Sequence, residues 1–315
     1  MNVGICGSDV HYWHEGQCGP FIVKKPLILG HETSGEVVAV GSKVKHLKIG
    51  DRVATEPATP CENCEFCRGG KYNLCPDIIC HATPPYDGTL VNYFIHRAPY
   101  AFKLPDNVNN EEGAMLEPLS VAVHSCKRSG VTVGSKILIT GAGPIGMLSL
   151  MAAKAYGATK LVITDLFAER LKLAKELGAT ETILVTKDLK EEELLQKVID
   201  AFDGDKPEIT LECSGASSSI RLMLLATKSG GTAIQVGMTQ ENVSLPFAQF
   251  AAREITLLGA FRYKDCFPTA INLASSGKLE LSKLVSHRFD FNDSQKAFEV
   301  AKSGEGMKVM IKVAE

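Results

Sequence analysis

The chain has 315 residues, 45% of them hydrophobic and 22% charged, the balance of a globular protein long enough for two domains with their own cores. A net charge of −2 and a pI near 6.5 create no broad positive field, which argues against nucleic acid or anionic membrane as partners and for small molecules. No apolar run is long enough to span a membrane and no basic-then-apolar leader opens the chain, so a cytoplasmic location is expected.

Residues 1–119 are rich in Gly, Pro, His and Cys, with short β-like runs at Ser34–Val40 and Asp51–Ala54, which predicts an irregular, mostly β domain. Two glycine-flanked turns here, Gly4–Asp9 and Gly30–Glu32, carry Cys6, His31 and Glu32. A thiolate, an imidazole and a carboxylate together make a three-ligand zinc site with one position left open for chemistry. Taken singly, Cys6 also reads as a small buried apolar residue and His31 as a hydrogen-bonded loop histidine.

Further on, Cys61, Cys64 and Cys67 are each separated by two residues, and seven more precede Cys75. In a reducing compartment such spacing reads as metal ligation before disulfide bonding. Four thiolates would fill a tetrahedral zinc site and leave no position for substrate, making it structural. An iron–sulfur cluster is the rival, although the ferredoxin run has three residues before its last cysteine; four unliganded thiols are the other alternative.

From 120 to 260 the texture changes to alternating strands and helices. Apolar runs at Ile137–Thr140, Leu161–Asp165, Ile209–Cys213, Thr232–Gly237 and Ile255–Gly259 predict strands buried on both faces, and Ala168–Leu177 and Leu189–Phe202 have helical spacing. This is the pattern of a doubly wound parallel α/β sheet of the Rossmann type. The first of these strands runs into Gly141-Ala-Gly143-Pro144-Ile145-Gly146, a G-x-G-x-x-G turn, and Asp165 ends the next. Gly141 would permit the tight turn, Gly143 the approach of a pyrophosphate and Gly146 close helix packing, while a carboxylate at Asp165 would accept a ribose diol and repel a 2′-phosphate. NAD is therefore the expected dinucleotide, with Arg170 positioned to soften the preference.

The last stretch, 261–315, contains Lys283–Phe289, an amphipathic Ser294–Lys302 and a strand at Lys308–Val313. Too short for a domain, it is expected to return and complete the first one.

Five motifs occur in an order that resembles the zinc-dependent medium-chain dehydrogenases: Gly-Ile-Cys-Gly-Ser-Asp-Val-His-Tyr-Trp, Pro-Leu-Ile-Leu-Gly-His-Glu, Gly-Asp-Arg-Val-Ala, Glu-Pro-Leu-Ser-Val and Thr-Gly-Ala-Gly-Pro-Ile-Gly. The resemblance runs from Val3 onward and is nearest to the polyol branch, because Glu117 stands where general alcohol dehydrogenases usually place a second cysteine. It implies a GroES-like catalytic domain over 1–119 and 261–315, catalytic zinc on Cys6, His31 and Glu32, and Glu117 beside the metal. It further implies Ser8 near the substrate oxygen, and Tyr12, Glu117, Arg262 and Tyr263 as binders of polyol hydroxyls; read alone, Arg262 is a solvated arginine and Tyr263 a half-buried core ring. The quartet Cys61, Cys64, Cys67 and Cys75, which vertebrate members tend to lack, is complete here, so a structural zinc rests on the motif itself.

The implied reaction is oxidation of sorbitol, xylitol or L-iditol to the ketose, with hydride passed to NAD, in a homo-oligomer, expected to be a tetramer. Arabinitol or threonine dehydrogenation shares every metal motif, and a non-catalytic NAD-binding protein is a further alternative. The resemblance also implies about forty residues ahead of Asn2 that supply first strands of the catalytic domain; without them lower stability and a weaker hold on zinc are expected.

Overall fold

A computed structural model describes residues 1–240 and 242–313. The chain divides into two compact units, Met1–Ser120 with Lys264–Glu315, and Val121–Tyr263. The expected boundaries stood at 119/120 and 260/261.

In chain order, the first unit supplies β1 (Asn2–Gly4), α1 (Gly7–Glu15), β2 (Gln17–Cys18), β3 (Phe21–Ile22), β4 (Glu32–Glu36), β5 (Arg52–Thr55), β6 (Ala58–Thr59), α2 (Glu65–Arg68), β7 (Ile79–Cys80) and β8 (Ala101–Lys103). Helix α3 (Asn110–Ser129) carries the chain across the boundary. The second unit alternates β9 (Lys136–Thr140), α4 (Pro144–Ala155), β10 (Lys160–Asp165), α5 (Ala168–Leu177), β11 (Glu181–Leu184), α6 (Glu191–Ala201), β12 (Ile209–Glu212), α7 (Ser217–Ala226), β13 (Thr232–Gln235), α8 (Phe247–Ala252) and β14 (Thr256–Gly259). The first unit then resumes with α9 (Phe267–Ser275), β15 (Val285–Asp290), α10 (Ser294–Ser303) and β16 (Lys308–Lys312).

The first unit is built on a sheet ordered β15-β16-β1-β4-β5-β8, mostly antiparallel, so the returning segment supplies two of its six strands. Its apolar face is closed by α10: Val3, Ile5, Ala297, Phe298, Val309 and Ile311 form one buried cluster. The β-like run expected to reach Val40 stops at Glu36, and Val38 and Val40 lie exposed beyond it. Pairing rather than propensity sets that end, because the last partner of β4 on β5 is Arg52.

The second unit has a parallel sheet ordered β11-β10-β9-β12-β13-β14 with helical crossovers, as the alternating pattern predicts. The interiors of the central strands are buried, while α6 and α7 cover one cluster of Leu138, Val162, Ile183, Val198, Phe202 and Leu222. Two details differ from the sequence reading. Strand β11 is an additional edge strand whose half-polar Glu181-Thr-Ile-Leu184 has no continuous apolar run. At the opposite edge, β14 was expected to be buried on both faces, but it pairs only with β13 and leaves Leu257 exposed, because an edge strand lacks a second neighbour.

Candidate metal centres and dinucleotide turn

Helix α1 begins immediately after β1, and its first turn determines the arrangement around Cys6. The Asp9 carboxylate reaches back to accept the Cys6 N–H at 3.1 Å and the Gly30 N–H at 3.0 Å, and its Oδ1 stands 3.3 Å from His31 Nδ1. Asp9 is fully buried, and these donors keep it ionised. Burial works to neutralise both partners, yet the mutual attraction of Asp9 and His31 prevails, holding the carboxyl below and the imidazole well above their usual ranges. With Nδ1 engaged by Asp9, His31 has Nε2 left for a ligand.

Glu32, the first residue of β4, follows directly. One donor atom each from Cys6, His31 and Glu32 lies within 4.8 Å of the others, so the cluster has the size and chemistry of a site for a borderline-soft divalent cation such as zinc. Glu32 is 1% exposed, and both its oxygens accept hydrogen bonds from Lys308 Nζ, at 2.7 and 2.6 Å. Nearby on their own elements, Ser8 and Tyr12 ride on α1, with Tyr12 buried. Glu117 is buried in α3, outside the three-residue cluster, and its charge is felt by Glu56 and by Lys308.

The four cysteines form a second cluster with the same 4.8 Å limit. Cys61 Sγ lies 3.9 Å from Cys67 Sγ, and Cys64 Sγ 3.4 Å from Cys67 Sγ; backbone N–H groups of Cys61, Cys64 and Cys67 point at neighbouring sulfurs at 3.4 to 3.5 Å. Such N–H···S contacts are what a metal thiolate loop needs. N–H groups of Asn63 and Cys64 pull the Cys61 thiol down to about 7, whereas burial and neighbouring thiols push Cys67 up to about 12. A divalent cation among them would ionise all four.

In the second unit the glycine turn joins β9 to α4, with Gly143 as N-cap and Pro144 and Ile145 in the first turn. Gly141 has φ +92°, and a Cβ on Gly146 would stand 1.8 Å from the Gly141 carbonyl oxygen, so that contact requires glycine. A Cβ on Gly143 would meet nothing within 4 Å, which leaves open space in front of the helix N-terminus. Asp165 Oδ2 accepts the Ala142 N–H at 2.6 Å and Oδ1 the Phe167 N–H at 2.9 Å, so the acid is tied to the turn while each oxygen retains a lone pair. Arg170 stacks over the Phe167 ring at 4.7 Å. Close to the unit's end, Arg262 adopts φ +52° with its guanidinium over Phe261 at 4.9 Å, and Tyr263 is 3% exposed rather than half-buried.

Sequence reasoning missed three residues. Asp9 and Lys308 fix ligand candidates, and Glu212 beneath the dinucleotide turn accepts from Ser214 N and Oγ, Gly215 N and Gln235 Nε2 at 2.5 to 3.0 Å. All three are buried charges, which no local pattern announces; only Asp9, three residues after Cys6, carried a signal.

Residues 1–106 match the alcohol dehydrogenase GroES-like domain and residues 144–276 the zinc-binding dehydrogenase domain. The chain belongs to the zinc-binding dehydrogenase family. It is 51% identical over 311 residues to a sorbitol dehydrogenase from Macaca fascicularis, covering 99% of this chain and 87% of that protein. Among solved structures it is similar to L-idonate 5-dehydrogenase of Escherichia coli, with TM-score 0.91, 30% identity and coverage of 99% and 89% of the two chains. Another similar structure is an Escherichia coli oxidoreductase of unknown specificity involved in membrane biogenesis, with TM-score 0.93, 37% identity and coverage of 100% and 90%. As a family member the chain is an oxidoreductase whose cofactors are zinc and a nicotinamide dinucleotide. None of the described helices is long and apolar enough to cross a membrane.

Proposed function

We propose that this chain oxidises a secondary hydroxyl of a polyol such as sorbitol, xylitol or L-iditol to the ketose, with NAD as hydride acceptor. The observation that carries the reading is the convergence of Cys6, His31 and Glu32 within 4.8 Å, in a chain half identical to a sorbitol dehydrogenase. The proposed catalytic-zinc ligands are these three residues, and the proposed structural-zinc ligands are Cys61, Cys64, Cys67 and Cys75. When bound at the first site, zinc supplies Lewis acidity that lowers the pKa of the substrate hydroxyl.

The protein's own groups do the rest. Asp9 orients His31 through Nδ1 and fixes the Cys6 backbone, holding two ligands in one geometry. Glu117 is the proposed proton acceptor, with Ser8 passing the hydroxyl proton toward it. The turn Gly141, Gly143, Pro144, Ile145 and Gly146 is proposed to cradle the pyrophosphate, and Asp165 to accept the ribose diol, with Arg170 beside it. Tyr12, Glu117, Arg262 and Tyr263 are proposed as hydrogen-bond partners of the polyol hydroxyls, since rejecting simple alcohols requires polar groups that a polyol satisfies and ethanol does not. We further propose a cytoplasmic homotetramer assembled through sheet edges, a reading supported by the exposed edge strand β14.

The test is NAD-linked turnover on a panel of sorbitol, xylitol, L-iditol, arabinitol, threonine and ethanol, with metal content measured on the same protein. Turnover of the first three well above ethanol is expected. Preference for ethanol or threonine overturns the polyol assignment, and light scattering at the mass of a monomer overturns the tetramer.

A further inference from the structure

Strand β1 runs between β16 and β4, and Gly4 on it pairs with Met310 on one side and Glu32 on the other. Across this strand passes a buried ion pair. Lys308, at the start of β16 and 3% exposed, donates to both carboxylate oxygens of Glu32 at 2.7 and 2.6 Å and to the Ile5 carbonyl at 3.2 Å. Its three ammonium protons are thereby committed. The link exists because β1 has no side chain at the crossing: a Cβ on Gly4 would stand 2.2 Å from Glu32 Oε2. Gly4, Ile5 and Cys6 are consecutive, so the strand that provides the clearance also delivers the candidate thiol ligand.

A carboxylate offered to a divalent cation is therefore already paired with a monovalent one. In a buried setting the ammonium and an incoming metal repel each other, and both draw on the same oxygens. Without the lysine, Glu32 would be an uncompensated buried charge, and a metal would be the one cation able to relieve it. We propose that Lys308 is a positioning residue for Glu32, fixing the carboxylate across β1 and competing with zinc for it, so that the site binds zinc less tightly than its three donors alone would. This rests on the reading of Cys6, His31 and Glu32 as zinc ligands.

The test is metal titration of the full chain after stripping, with Zn²⁺ and Co²⁺ in chelator competition. The visible bands of Co²⁺ distinguish a one-thiolate site from the four-thiolate cluster, so each site is followed separately. Lys308→Met is expected to tighten binding at the one-thiolate site by about tenfold or more, and to lower the melting temperature of stripped protein more than that of loaded protein. Lys308→Gln, which keeps a donor without charge and carries the test should the methionine variant fail to fold, shifts affinity in the same direction. Lys308→Arg, which retains the charge, is expected to stay within about threefold of the parent. Unchanged or weaker binding in both neutral variants overturns the proposal. Glu32→Gln separates the premise: if it leaves metal affinity at that site unchanged, Glu32 is not a ligand and the underlying reading fails instead.

Discussion

Asp165 is held by the Phe167 N–H of its own turn and by the Ala142 N–H of the glycine turn, which fixes its carboxyl group beside that turn. Replacing it with alanine would remove the proposed diol acceptor and the proposed repulsion of a 2′-phosphate. Asp165→Ala is expected to raise KM for NAD by about tenfold and to narrow the gap to NADP, read from initial rates with each dinucleotide; an unchanged ratio removes Asp165 from cofactor choice. Glu56 offers a second prediction at this scale. It is 2% exposed, and burial pushes its carboxyl up to about 7 despite a 2.8 Å hydrogen bond from the Tyr72 hydroxyl. Because the folded value lies above the ordinary 4.5, the native state holds a proton that the unfolded chain has lost. The associated stability is present below about pH 4.5 and drains away as pH rises toward 7, by on the order of 3 kcal/mol. Glu56→Gln keeps the acceptor for Tyr72 but cannot ionise, so its urea midpoint should fall less than the parent's between pH 5 and pH 8; identical slopes refute the assignment.

The glycine turn and α4 behave as one element, and its glycines separate by function. Gly146→Ala places a methyl against the Gly141 carbonyl and should displace the helix start, lowering both melting temperature and NADH affinity. Gly143→Ala adds a methyl to open space, so the melting temperature should hold while NADH affinity drops about tenfold, because the methyl occupies the space expected for the pyrophosphate. Fluorescence titration and calorimetry on the two variants distinguish them, and parallel losses in both would overturn the contrast. The same element explains what could be read in advance. Strand, triplet and strand-end acid are local and were legible, as were α5, found at Ala168–Leu177 as expected, and the cysteine quartet as a motif. What escaped depends on distant partners: β11 exists because β10 offers an edge, and Lys308 meets Glu32 only because β16 pairs with β1.

Across the whole molecule, the two candidate metal clusters fall in the unit formed by Met1–Ser120 and Lys264–Glu315, and the glycine turn with Asp165 in Val121–Tyr263. Stripping the metal should therefore abolish turnover while NADH affinity changes by less than about threefold. Loss of NADH binding along with the metal would refute that separation. The pairing of β1 with β16 carries one more consequence. The ribosome makes Asn2–Gly4 long before Lys308–Lys312, yet the two lie side by side in the sheet. The parallel sheet of Val121–Tyr263 has all its strands within one continuous stretch and is able to condense during translation, whereas the split unit must wait, Asn2–Gly4 without its neighbour, until the returning strand has been made.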